Sequence, residues 1–146
     1  MYTLDASVFT RTIDPTEPEH GTCLALLDRL HADATPIVAP TLVLAEVADV
    51  ISRARCDPIR ARVVAATLRA LPHVTSVPLD DGLAKLAADL AADHRLRGAD
   101  AVYVAVAQQF HTTLFTLDGE QRTRGAAAVP TRSPAEALAD LLPPMP

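Results

Sequence analysis

Short apolar runs alternate along this chain with longer stretches whose apolar positions recur at helical spacing. Tyr2–Leu4 reads as a first strand, ended by Asp5. Beyond Ala6–Thr12, the polar and Pro-bearing stretch Asp14-Pro15-Thr16-Glu17-Pro18-Glu19 predicts a surface loop. Leu24, Leu27 and Leu30, with Cys23 and Ala25 beside them, form a helical stripe to about Ala32. Pro36–Pro40 is a brief strand bracketed by prolines, and Thr41–Ala54, apolar around Glu46, Asp49 and Arg53, predicts a helix packed on two sides. Asp57-Pro58 is a helix-start signal, Asp as N-cap and Pro in the first turn. The helix it opens carries Ile59, Val63, Ala66, Leu68 and Leu71 and stops near Pro72.

Val74–Val77 predicts another strand, and Asp80 or Asp81 opens a helix with Leu83, Leu86, Ala87 and Leu90 on one face. Gly98 interrupts, and a further helix runs from about Asp100 to Phe110. Thr113–Leu117 is the clearest strand, ending at Asp118, and Val129 and Thr131 suggest a last short one. Ser133-Pro134-Ala135-Glu136 is a capping box opening a helix to Leu142. The tail Pro143–Pro146 cannot continue it and is expected to be disordered.

Strands alternating with helices predict an α/β sandwich with a central parallel sheet of four to five short strands, in one domain over residues 1–146. In such folds, sites gather beyond the carboxyl ends of the strands. Asp5 and Asp118 fall there, while Glu46 and Asp100 lie in or at the start of apolar helical stretches. A carboxylate is costly to bury unpaired, and a shared divalent cation is the economical way to gather several. Each acid also has a structural alternative. Asp5 and Asp118 follow strands, where Asp serves as a helix N-cap, and Asp100 suits a cap or a first-turn charge. Glu46 has little polar company, although one face of its helix could be wet.

Composition narrows the chemistry. The 146-residue chain is 49% hydrophobic, enough for a sizeable core, but 3% aromatic without Trp, which argues against an array of base-stacking platforms. A net charge of −5 gives no global basic signature, although all the basic residues except Lys85 are Arg. Cys23 and Cys56 lack metal-ligand spacing and are expected to be reduced core residues. The five histidines are too dispersed for a metal pattern, and no Gly-rich phosphate loop is present. Neither Ser7 nor either cysteine has an evident base beside it. Without a leader-like start or a long apolar run, the expected location is the cytoplasm.

Leu4-Asp5-Ala6-Ser7, Ala45-Glu46-Val47, Gly98-Ala99-Asp100-Ala101 and Thr116-Leu117-Asp118, in this order and at this chain length, resemble the PIN-domain ribonucleases, most of all the VapC-type toxins of toxin–antitoxin pairs. The resemblance spans nearly the whole chain. It implies an α/β/α domain in which Asp5, Glu46, Asp100 and Asp118 hold one or two Mg²⁺ or Mn²⁺ ions and cleave RNA through metal-activated water. Ser7 and Thr116 match small hydroxyl positions that hold the carboxylates or waters. A homodimer and a small antitoxin protein covering the site are implied as well. Arg97 and Arg122, the basic residues nearest the acids in sequence, are candidate RNA phosphate contacts, and solvated arginines otherwise. Glu120 and Asp49 could add carboxylates or be surface charges.

Two other acid-tipped α/β chemistries fail on residues. An aspartyl-phosphate phosphatase wants a second Asp two positions after the first, where Ser7 stands, and a phosphate-receiving signalling domain wants an acidic pair after the first strand. The standing alternative is a non-catalytic PIN-like module that binds RNA or a protein partner.

Overall fold

The computed structural model describes residues 1–141, so Leu142, the expected end of the last helix, and the tail Pro143–Pro146 lie outside the described residues. Five strands form one all-parallel sheet: β1 (Tyr2–Leu4), β2 (Ile37–Pro40), β3 (Val74–Val77), β4 (Thr113–Phe115) and β5 (Thr131–Arg132), in the order β3-β2-β1-β4-β5. Eight α-helices among the described residues connect and flank them: α1 (Ala6–Thr10), α2 (His20–Ala32), α3 (Leu42–Arg55), α4 (Pro58–Ala70), α5 (Asp81–His94), α6 (Gly98–Gln109), α7 (Gly119–Thr123) and α8 (Pro134–Leu141). This is the α/β sandwich that the alternation of strands and helices predicts.

The central strands β1 and β4 pair in register from Tyr2↔Thr113 to Leu4↔Phe115. Their carboxyl ends therefore finish level, and Asp5 N–H bonds the Phe115 carbonyl at 3.0 Å just past that point. Helix α6 lies against β1, β2 and β4 and is buried almost all round, from Asp100 through Ala107. Its run of Ala and Val gives small, apolar surfaces on every side, as a helix enclosed by its neighbours requires. Asp100 is thereby carried into the interior on the first turn of the most buried helix.

Several boundaries differ from the sequence expectation for physical reasons. β4 stops at Phe115 instead of Leu117 because side chains replace the ladder: Leu117 N–H donates to Ser7 Oγ (3.1 Å) and Asp118 N–H to Thr116 Oγ1 (2.9 Å). Gly98 opens α6 and does not precede it, so Asp100 is a first-turn residue with Arg97 at the N-cap. Val129 lies before β5, its N–H bonded to the Gly125 carbonyl. On α4 the core face is Ala61 and Leu68, with Val64 and Leu71 packed beside them, whereas Ile59 and Val63 are 71% and 59% exposed. On α2 the buried positions are Cys23, Leu26 and Leu30, and Leu24 faces outward. Cys56 is exposed, against the expectation of a core thiol, because it ends α3 in a left-handed conformation at the surface.

Candidate active site

Asp5, Ser7, Glu46, Asp100 and Asp118 line one cleft of about 330 Å³ at the carboxyl edge of the sheet, together with Thr10, Arg11 and Val50. Each acid arrives by a separate route. Asp5 ends β1 and caps α1, its Oδ2 accepting from Ser7 N–H at 3.0 Å. Glu46 points from the second turn of α3. Asp100 comes from the first turn of α6, and Asp118 caps α7, its Oδ1 accepting from the N–H groups of Glu120 (2.8 Å) and Gln121 (3.0 Å). Asp5 and Asp118 thus do fill the N-cap roles that such positions favour, and they line the cleft as well.

Asp5 and Asp100 are buried, and Glu46 and Asp118 are half-buried. Their electrostatics diverge accordingly. Burial, the dominant influence, raises the Asp5 carboxyl above its ordinary value, the nearby Asp100 charge adds to this, and hydrogen bonds from Ser7 and Gln121 oppose it. Glu46 is raised likewise, by burial first and then by the Asp5 and Asp100 charges, against the hydrogen bond donated by the Tyr103 hydroxyl. For Asp118, burial pushes upward but is outweighed by the N–H groups of Gln121 and Glu120 and by Arg97, which leave it below its ordinary value.

Arg97 stands across the site. Its Nε donates to Asp100 Oδ2 at 2.7 Å and its Nη2 to Asp118 Oδ2 at 2.5 Å, with Glu120 at 3.7 Å. Those bonds and charges, Asp100 foremost, raise the guanidinium's own pKa. Arg122 does not join it; it turns to Glu136 on α8, 3.3 Å from both carboxylate oxygens. Asp49 is exposed, does not line the cleft and pairs with Arg53 at 2.7 Å. Glu120 is held between Arg97 and Arg124 at the rim. Thr116, fully buried, donates its hydroxyl to Asp5 Oδ2 at 3.3 Å.

Residues that sequence reasoning passed over complete the arrangement. Tyr103, buried on α6, donates to Glu46. Gln121 on α7, fully buried, donates from Nε2 to Asp5 Oδ1 at 3.2 Å and to Asp100 Oδ1 at 3.0 Å. Arg11 lines the cleft and pairs with Glu17. Tyr103 had one legible signal, a polar tip one helical turn beyond Asp100. Gln121 had none, because α7 is too short to show an apolar period.

All the carboxyl groups on the cleft wall offer oxygen, the donor type that hard divalent cations prefer. Among the described residues, however, no three His, Cys, Asp or Glu side chains are drawn together as a ready metal cage. Arg97 supplies positive charge at the Asp100 and Asp118 side instead.

A family model described as "PIN domain" matches residues 2–126. No curated protein matches the chain in sequence. Among solved structures, VapC20 of Mycobacterium tuberculosis, described as a sarcin–ricin loop cleaving toxin, is 23% identical with a TM-score of 0.70, covering 88% of this chain and 96% of that one. FitAcB of Neisseria gonorrhoeae is 22% identical with a TM-score of 0.69, covering 92% and 98%. VapBC2 of Rickettsia felis, solved with a DNA fragment from its promoter, is 13% identical with a TM-score of 0.67, covering 90% and 97%. At these identities the likeness is one of fold.

Proposed function

The chain belongs to the PIN domain family, and from that premise we propose that it is a divalent-metal-dependent endoribonuclease, the toxin of a toxin–antitoxin pair. One observation carries the reading: Asp5, Glu46, Asp100 and Asp118, far apart in sequence, converge on a single cleft at the carboxyl edge of a parallel sheet. The structural neighbours add support for the biological role, since one is described as a sarcin–ricin loop cleaving toxin and another as bound to a DNA fragment from its promoter.

The donor set fits Mg²⁺ or Mn²⁺, one ion or two, held by Asp5, Glu46, Asp100 and Asp118. Such an ion, when bound, polarises a phosphoryl oxygen and lowers the pKa of a water. The chain's own residues prepare for this. Ser7, Thr116 and Gln121 fix the Asp5 carboxylate through both of its oxygens. Tyr103 orients Glu46. Arg97, exposed on the rim, neutralises Asp100 and Asp118 and is free to exchange them for an RNA phosphate, a role that the buried residues cannot take. Arg122 would contact RNA only after leaving Glu136. A cytoplasmic location, a homodimer and a small antitoxin protein covering the cleft belong to the same reading.

The non-catalytic alternative draws support from the pairing of Arg97 with Asp100 and Asp118 and from the lack of an assembled metal cage among the described residues. One experiment separates the two. Purified protein is incubated with tRNA, rRNA and single-stranded RNA in Mg²⁺, Mn²⁺ or chelator, beside Asp100→Asn. The nuclease gives metal-dependent cleavage that falls about a hundredfold or more in the variant. RNA or partner binding without turnover, unchanged in the variant, identifies the binding module.

A further inference from the structure

Gln121 is the one fully buried residue of α7; its neighbours Glu120, Arg122 and Thr123 reach solvent. An apolar side chain would fill that space without a polar group to satisfy. Instead the amide nitrogen gives its two hydrogens to Oδ1 of Asp5 and Oδ1 of Asp100, on β1's end and on α6, and the Gln121 backbone N–H bonds Asp118. One residue therefore touches three of the four cleft acids. Its Oε1, equally buried, finds no hydrogen-bond partner among the described residues. The reversed amide would satisfy neither carboxylate and would set Oε1 against both, so the two acids fix its orientation and turn the carbonyl away from them.

We propose that Gln121 is a positioning residue, a neutral amide spacer that sets the separation of Asp5 and Asp100 for divalent-cation binding. Neutrality is the point of the choice. An Arg or Lys there would bind the carboxylates more strongly but would cancel the negative charge that attracts a cation. The amide holds one oxygen of each carboxylate and leaves the charge of the pair intact. The exposed Arg97 makes the contrasting contact, a full charge on the Oδ2 side that can withdraw. This inference rests on the metal-dependent reading of the cleft.

The test is Mn²⁺ alone, titrated calorimetrically into the full chain, with the electron spin resonance signal of the bound ion recorded. Gln121→Met keeps the bulk and removes both donors; its fold is checked by circular dichroism and its melting temperature is measured in chelator. The expected result is Mn²⁺ affinity about ten- to a hundredfold weaker in the folded variant, with an altered resonance signal. A purely space-filling Gln121 would lower the melting temperature without moving the affinity. Folded Gln121→Met that binds Mn²⁺ as the native chain does overturns the inference and leaves the nuclease reading standing. If Gln121→Met does not fold, Gln121→Asn decides by the same criterion, since its amide is one methylene too short to reach both acids. A native chain that takes up no Mn²⁺ overturns the nuclease reading, and this inference with it.

Discussion

Burial is the first cause that lifts the Asp5 and Glu46 carboxyls, and it sets the pH behaviour of the metal-free protein. Because both values are raised in the folded state, the folded chain keeps protons that the unfolded chain has released. Their contribution to stability is therefore fully present below the ordinary carboxylate values of 3.8 and 4.5 and is lost as pH rises through the raised ones. Asp118 runs the opposite way: its value is depressed, so its contribution is present above 3.8 and is lost as pH falls through the folded value. The expected outcome is specific to one residue. In chelator, Asp5→Asn gains melting temperature relative to the native chain as pH rises from the ordinary carboxylate value of 3.8 through the raised one, since the variant never carries the penalised charge. A margin that stays constant across that range would remove burial of the Asp5 charge as the cause. Gln121, which the sequence offered no means of singling out, belongs to the same scale, because its meaning lies wholly in which two side chains it meets.

Among the elements, α4 shows best how packing selects among apolar residues. Its sequence contains two overlapping stripes, one through Ile59 and Val63 and one through Ala61, Val64, Leu68 and Leu71. The structure buries the second. Leu68→Ala should cost about 2–5 kcal/mol in urea denaturation, whereas Val63→Ala should stay within about 0.5 kcal/mol. Equal losses would mean that the first stripe is the packed one. α8 gives the reverse lesson. Ser133 Oγ accepts from Glu136 N–H at 3.2 Å while Glu136 Oε2 accepts from Ser133 N–H at 2.7 Å, the reciprocal pair that the local sequence predicts. Capping needs only neighbours in sequence and is legible there. The choice of helix face needs the partner surface.

Across the whole molecule, the parallel sheet and the level ends of β1 and β4 gather acids from four separate segments at one edge. Gathering like charges opposes folding unless protons, Arg97 or a cation compensate. A cation that binds only the folded arrangement must then stabilise the whole chain, by about 2.7 kcal/mol when its concentration is a hundredfold above its dissociation constant. Thermal denaturation at neutral pH should accordingly shift upward with millimolar Mn²⁺. The shift should be absent in Asp100→Asn. No shift in the native chain would count directly against metal binding in this cleft. Among the described residues no helix is long and apolar enough to cross a membrane.

The amino-acid sequence by itself determined the alternation of strands and helices, the capping signals at Asp57 and Ser133, and the identity of the acids that end strands or open helices, while the structure chose Asp80 over Asp81 as the cap of α5. These are local properties, set by periodicity and by side chains within a few positions of one another, and the family resemblance rests on the same short motifs. Only the tertiary structure decided that Asp5 and Asp100 share one amide donor, that Tyr103 serves Glu46, and that Arg97 guards the rim while Arg122 turns to Glu136. The same holds for the stripe of α4 that faces the core. Those contacts join residues from 3 to 116 positions apart, the nearest being Arg97 with Asp100 and the farthest Gln121 with Asp5, and even the nearest depends on where α6 is carried by the strands beneath it. Hydrogen bonds and burial act through space over a few ångströms, and only the folded chain sets those distances.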